Sequence, residues 1–252
     1  MFFNIPRQKI KDIVAVNYQY ASVLHFFGIE LYNYPEETLE KVCAAKKLDV
    51  VTVVRSLEAI ASNKSKGIDP SLFDLPLEVL IEYLRVMHQS FVRHKLPYMN
   101  DLIANIEASC FDQPDIAEDL KFIFPIFAED FVRHIYEEEK EHFGFIERLK
   151  KAVEEGFSLS DMFFELQKHS IEHIMAEHLE DDDEMEGIRD LTANYALDGN
   201  TGLYTRVVYS ELKAFENDLM VHSRVENEIL FPKAWELEKT VFARIREKAQ
   251  YN

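Results

Sequence analysis

A chain of 252 residues, 47% hydrophobic with only 7 Gly and 8 Pro, has room for one helical bundle and a small accessory domain, and too few breakers for many short strands. Its formal charge of −18 leaves no basic face for phosphate, which excludes a nucleic-acid partner and puts most of the acid on solvated surface. Cys43 and Cys110 are too far apart for a CxxC arrangement; with no signal-peptide pattern and no apolar run near the ~18 residues of a membrane span, the cytoplasm is the default.

Residues 1–63 read as a small domain of short helices. Ile10, Ile13 and Val14 form one apolar stripe, and Val23, Leu24 and Phe27 form a second that stops at Gly28. Pro35 is expected to open a third helix, with Glu36, Glu37 and Glu40 where the helix dipole favours acid. Asp49 should N-cap a fourth that runs through Val54 and Leu57. The stretch from Asn63 to Pro70 is turn-rich, and a linker is placed at 64–75.

Residues 76–252 carry four long helical stretches, expected to form an all-α, antiparallel four-helix bundle. The first shows Leu77, Leu80, Leu84, His88, Phe91, Met99, Leu102 and Ile106 at helical spacing and ends near Phe111. The second runs from Asp115 to about Glu155 and stops at Gly156. Ser158 or Ser160 caps the third, which fades near Asp198–Gly202. The fourth runs to Phe231-Pro232, followed by a short helix. Pro97 and Pro125 fall inside helices and are expected to kink them.

Each long stretch contributes one histidine of a regular series. His88, His134, His178 and His222 are separated by 46, 44 and 44 residues, and the midpoints of those intervals fall at the three turns. In an antiparallel bundle, residues equidistant from a turn lie side by side, so the four imidazoles should share one layer roughly 33 Å from each turn. His134 and His222 also begin the same His-x-x-x-Glu motif, which sets Glu138 and Glu226 one helical turn away on the same face. Imidazole suits iron, zinc or copper, and a carboxylate can bridge two cations in a bundle core. Facing carboxylates in an apolar interior are costly without a metal or protons, which is the physical reason to read a site here. The candidate metal ligands are therefore His88, His134, Glu138, His178, His222 and Glu226.

Other polar residues have simpler readings. His94, His169 and His173 lie out of phase and should be solvated, and a surface place is expected for His142 although it could line the site. Glu137, Glu139, Glu141 and the run Glu180–Glu184 read as a solvated face that could bind loose cations. Cys110, some twenty residues from His88, reads as a buried structural thiol.

The segments EDFVRHIYEEEKEHFGFI, IMAEHLED and FENDLMVHSRVENEILFPKA resemble the hemerythrin-like domain of the repair-of-iron-centres (ScdA-type) proteins. VMHQSFVRHKLP resembles the stretch with that family's first histidine. IKDIVAVNYQYASVLHFFGIE and EETLEKVCAAKKLD resemble its short N-terminal domain. The resemblance covers nearly the whole chain and implies two non-haem iron ions, bridged by carboxylates, with ligand roles on His134, Glu138, His178, His222 and Glu226. It also implies a role in restoring iron–sulfur clusters damaged by nitrosative or oxidative stress. The partners it implies are damaged iron–sulfur proteins and small diatomic molecules, oxygen or nitric oxide, with homodimer formation and catalysis left open. The alternative reading is a hemerythrin-like carrier or sensor of oxygen or nitric oxide without repair activity. Three positions depart from the family pattern. Leu31-Tyr32 follow Gly28-Ile29-Glu30 where the family has a Cys-Cys pair; Gln89 falls where its first histidine is expected, one residue from His88; and Cys110 replaces a histidine near the first turn.

Overall fold

The computed structural model describes residues 4–61, 67–180 and 183–250. The start of the expected linker, including Asn63, and Asp181 and Asp182 of the acidic run lie outside the described residues. Among the described residues all regular structure is helical, beside one isolated antiparallel bridge between Lys9 and Thr38. None of these helices is long and apolar enough to cross a membrane.

In chain order the helices are α1 (Ile10–Val16), α2 (Tyr20–Phe26), α3 (Leu39–Lys46), α4 (Val50–Ala61), α5 (Leu77–Ser90), α6 (Leu96–Asn105) and α7 (Pro114–Glu137). They continue as α8 (Gly144–Glu155), α9 (Leu159–Lys168), α10 (Ile171–Glu180), α11 (Glu186–Leu191), α12 (Leu203–Val225) and α13 (Phe231–Gln250). Three joints in this series are π-helical turns: Phe91–Lys95 between α5 and α6, Glu138–Phe143 between α7 and α8, and Glu226–Leu230 between α12 and α13.

Packing divides the chain into two compact units that do not follow chain order. One comprises Met1–Lys66, Arg93–Ile126 and Met185–Asn217; the other comprises Gly67–Val92, Phe127–Glu184 and Asp218–Asn252.

In the first unit α1 buries Ile10, Ile13 and Val14, and α2 buries Val23 and Leu24. The chain leaves α2 through Gly28 at φ +70°, a conformation that a side chain disfavours. The third helix begins at Leu39 and not at Pro35. The carbonyls of Pro35 and Glu37 accept hydrogen bonds from the Lys11 and Ile10 N–H groups, which draws residues 35–38 alongside α1 and out of helix. Asp49 caps α4 as expected: its carboxylate accepts from the N–H groups of Thr52 (3.1 Å) and Val51 (3.3 Å). Tyr32 donates a hydrogen bond to Asp101, and the His25 ring lies 4.8 Å from that of Tyr98, which ties 4–61 to α6. Cys110 lies in a short 3-10 turn after α6 and is exposed, so the reading of a buried thiol is wrong; Cys43 is the buried one. The helical stretch that carried Cys110 to its expected place stops at Asn105.

The second unit is organised on α13, which packs against α8, α9 and α10 around a core that includes Leu84, Phe143, Phe145, Leu149, Ile171 and Phe231. The third long stretch is not one helix. α9 ends at His169, whose backbone is extended, and α10 restarts at Ile171, where the Glu238 carboxylate of α13 accepts the Ile171 N–H at 3.1 Å. The other end of α13 serves α8: Arg244 donates to the Val153 carbonyl and Lys248 to that of Phe157 (3.3 Å). Acid thus meets a helix N-terminus and bases meet a C-terminus, as the helix dipoles favour. α8 ends at Gly156 with φ +86°, where the sequence placed a stop. Pro125 lies inside α7 as expected, whereas Pro97 sits in the first turn of α6, behind a π turn, where a missing N–H does least harm.

Candidate metal centre

Every residue of the centre belongs to the second unit. His88 continues the buried stripe of Leu77, Leu80, Ile81 and Leu84 on α5 and is 1% exposed; its neighbour Gln89 is exposed. His134 lies in the last turn of α7, and Glu138 opens the π turn that follows. α10 carries His178. His222 lies in the last turn of α12, and Glu226 opens the next π turn.

The six residues singled out by spacing come together in two overlapping groups. His88, Glu138, His222 and Glu226 each bring one possible ligand atom within 4.8 Å of the others, and His134, Glu138 and His178 do the same. The Nε2 atoms of His88 and His222 are 2.6 Å apart. Glu138 Oε2 lies 3.5 Å from His88 Nε2 and 3.9 Å from His134 Nε2. Glu226 Oε2 lies 3.3 Å from His222 Nδ1 and 3.7 Å from His178 Nε2. Each carboxylate therefore stands between one histidine of the His88–His222 pair and one of the His134–His178 pair; of the four rings only that of His88 does not line the adjoining cavity.

The donor set fits a cation. Glu138 is 1% exposed, and neither of its oxygens has a hydrogen-bond partner among the described residues. Such a carboxylate costs several kcal/mol unless something positive reaches it. Burial alone would raise its pKa, but the adjacent Glu226 carboxyl and the imidazoles of His222, His88 and His178 outweigh burial and draw it down to about 2. Burial also holds the His222 imidazole neutral, down to about 3, against the attraction of Glu138. Ionised carboxylate beside neutral imidazole is the protonation state in which both bind metal. The π turns have a geometric role here. Two of the three begin at a carboxylate, and such turns inside helices are frequent at functional sites.

Three contributors lie outside the ligand set read from the sequence, and of these only His142 has a possible place at the site on that reading. Glu139, expected on a solvated face, accepts a hydrogen bond from His88 Nδ1 at 2.8 Å. That bond puts the proton on Nδ1 and leaves Nε2, 2.6 Å from His222 Nε2, as the acceptor nitrogen that faces the centre. No sequence signal marks Glu139 among its acidic neighbours. His142, expected at the surface, is half-buried and lines a cavity of about 530 Å³ together with His134, Glu138 and His178. Burial lowers its pKa, partly against Glu138. Glu184, read as part of a solvated run, reaches within 3.8 Å of His134 Nε2 and lines the same cavity. His94 and His173 are exposed as expected, while His169 is half-buried against Phe145, with ring centroids 5.4 Å apart.

No family model matches the chain. Among curated proteins it is similar to the iron-sulfur cluster repair protein YtfE of Escherichia coli O8 (strain IAI1), with 24% identity over 199 residues, which are 79% of this chain and 83% of that protein. The YtfE proteins of E. coli O81 (strain ED1a) and O17:K52:H18 match to the same extent. A chain whose described regular structure is helical, and which holds a buried His/Glu cluster able to take a metal ion, is thus distantly similar to iron–sulfur cluster repair proteins.

Proposed function

We propose that this chain is a non-haem di-iron protein with a hemerythrin-like four-helix bundle that takes part in repair of iron–sulfur clusters damaged by nitrosative or oxidative stress. The observation that carries the reading is the pair of buried carboxylates, Glu138 and Glu226, each standing between histidines of both groups. Six protein groups on two cations leave each short of a full octahedral set, and imidazole with carboxylate suits iron. The name of the distant relative supplies the repair role.

Two bound iron ions would supply Lewis-acid and one-electron chemistry. The protein's part is to hold them. His88 and His222 would serve the inner position and His134 and His178 the position beside the cavity, with Glu138 and Glu226 bridging. Glu139 orients the His88 ring through Nδ1, so that a change of side chain one residue outside the ligand set alters the inner position. Phe91, Phe143 and Phe231, each at most 1% exposed, pack on the His88, His222 and His178 rings and keep water from that side. The cavity gives access to the centre past Glu137, Glu141, Glu177 and Glu184 with Lys140 among them, a lining whose excess of acid suits cations.

Protein purified without added metal should contain about two irons per chain. It should also restore activity to a [4Fe–4S] dehydratase inactivated by nitric oxide, and a Glu138→Ala, Glu226→Ala double variant should not. Stoichiometric zinc, or no metal in several preparations, would refute the di-iron centre. An iron-loaded protein that leaves the damaged enzyme inactive would refute repair.

A further inference from the structure

The two carboxylate-bearing segments repeat one frame. Residues 134–143 read HIYEEEKEHF and residues 222–231 read HSRVENEILF, each His-x3-Glu-x4-Phe. In both the Glu begins a π turn and the Phe is fully buried. The seven intervening positions all differ, and at one of them the difference adds an imidazole. Eight residues after the first histidine stands Leu230 in one copy, fully buried in the core, and His142 in the other.

An uninterrupted α-helix would carry residue i+8 roughly 80° round from residue i. A π turn fits about one more residue into the turn and so winds more slowly, which brings His142 back towards the face of His134 and Glu138. The result is visible around His178. Its ring centroid is 6.0 Å from that of His134 and 6.1 Å from that of His142. His142 lines the cavity with both, and its Nδ1 is buried with no hydrogen-bond partner among the described residues.

We propose that His142 is a third imidazole donor at the metal position of His134 and His178, so that the two metal positions differ in their protein ligands. This rests on the two-metal reading above. The cavity-side position then has three imidazoles, and the His88–His222 position has two. A further neutral imidazole adds one bond to a single ion and takes the place of a water, so that ion should dissociate more slowly.

The test uses the full-length protein, loaded with iron for kinetics and with cobalt(II) for proton magnetic resonance. In His142→Gln, one of the two irons should pass to a chelator at least about tenfold faster than in the wild type, with the other unchanged. His173→Gln, on the exposed side of α10, should leave both rates as they are. The cobalt-loaded wild type should show five solvent-exchangeable, strongly shifted imidazole N–H signals, and His142→Gln four. Equal release rates in both proteins, or only four such signals in the wild type, would overturn the proposal. The wild-type signal count decides the matter even where His142→Gln does not fold. A wild type that takes up no metal pair would instead overturn the two-metal reading itself.

Discussion

His88 and Gln89 are one residue and about 100° apart on α5, and the structure gives them opposite surroundings: His88 buried against Phe143 and His222, Gln89 exposed. The apolar stripe of Leu77, Leu80 and Leu84 was sufficient to orient His88, because burial follows helical phase. His88→Ala should therefore lose or loosen one iron while Gln89→Ala keeps both, as metal analysis of the two variants would show. The reverse result would mean that α5 is rotated from the position described. Glu138 gives a second prediction at this scale. Against the effect of burial, its pKa is drawn down by the Glu226 carboxyl and the surrounding imidazoles, so the fold favours the ionised carboxylate even without metal. Glu138→Gln, which cannot ionise, should therefore melt below the wild type in the metal-free state. With iron the gap should widen, because the amide cannot bridge. Thermal unfolding of the four samples tests this, and a metal-free variant at least as stable as the wild type would show that burial outweighs those neighbours.

At the scale of elements, what sequence periodicity misses is any departure from 3.6 residues per turn. The three π turns hold no proline or glycine within them, although Pro97, Gly144 and Pro232 follow within two residues, and two of them begin at Glu138 and Glu226 and set where the next side chains point. The break between α9 and α10 is similarly silent in the sequence, since its cause is a distant residue. Glu238 of α13 is 4% exposed, its pKa is raised by burial against the opposing effect of the Ile171 N–H, and its carboxylate takes the N–H that opens α10. His178 lies two turns along that same helix. Glu238→Ala should cost about 1 kcal/mol, the usual loss for a removed cap, and should weaken metal retention at the His178 position. Glu238→Gln, which keeps an acceptor oxygen, should recover most of both. Melting temperature together with iron release to a chelator separates these effects; an alanine variant with wild-type melting would mean that α10 starts without help from α13. A second element-scale expectation concerns Ala193, Asn194 and Tyr195, three successive residues at φ of 49°, 60° and 55°. Left-handed backbone costs roughly 1–2 kcal/mol per residue with a side chain. Ala193→Gly should therefore raise stability by about 1 kcal/mol, and an unchanged or lower melting point would place the strain elsewhere in that turn.

For the whole molecule, the all-helical class and the meeting of six ligand candidates were legible because both follow from spacing along long helices. The grouping of segments into units was not legible, because it depends on contacts between stretches far apart in sequence. Residues 4–61 are tied to α6 by the Tyr32–Asp101 hydrogen bond and by the His25–Tyr98 ring contact, within a unit that also takes in Met185–Asn217. The metal-ligand candidates, the second-layer Glu139 and the lining of the cavity all belong to the other unit. Removing residues 1–63 should thus leave iron stoichiometry unchanged while lowering thermal stability. The loss would come from the first unit, where Tyr98, 7% exposed in the full chain, would lose the cover of the His25 ring. Each kcal/mol lost should lower the melting point by about 2–4 °C in a chain of this size. The checks are iron content and a melting curve for the truncated protein beside the full chain. A truncated protein that folds with two irons and melts lower fits a ligand set held independently of the N-terminal helices. One that folds but takes up no iron would show that those helices shape the centre from outside its own unit, and the division of labour argued from packing would fail.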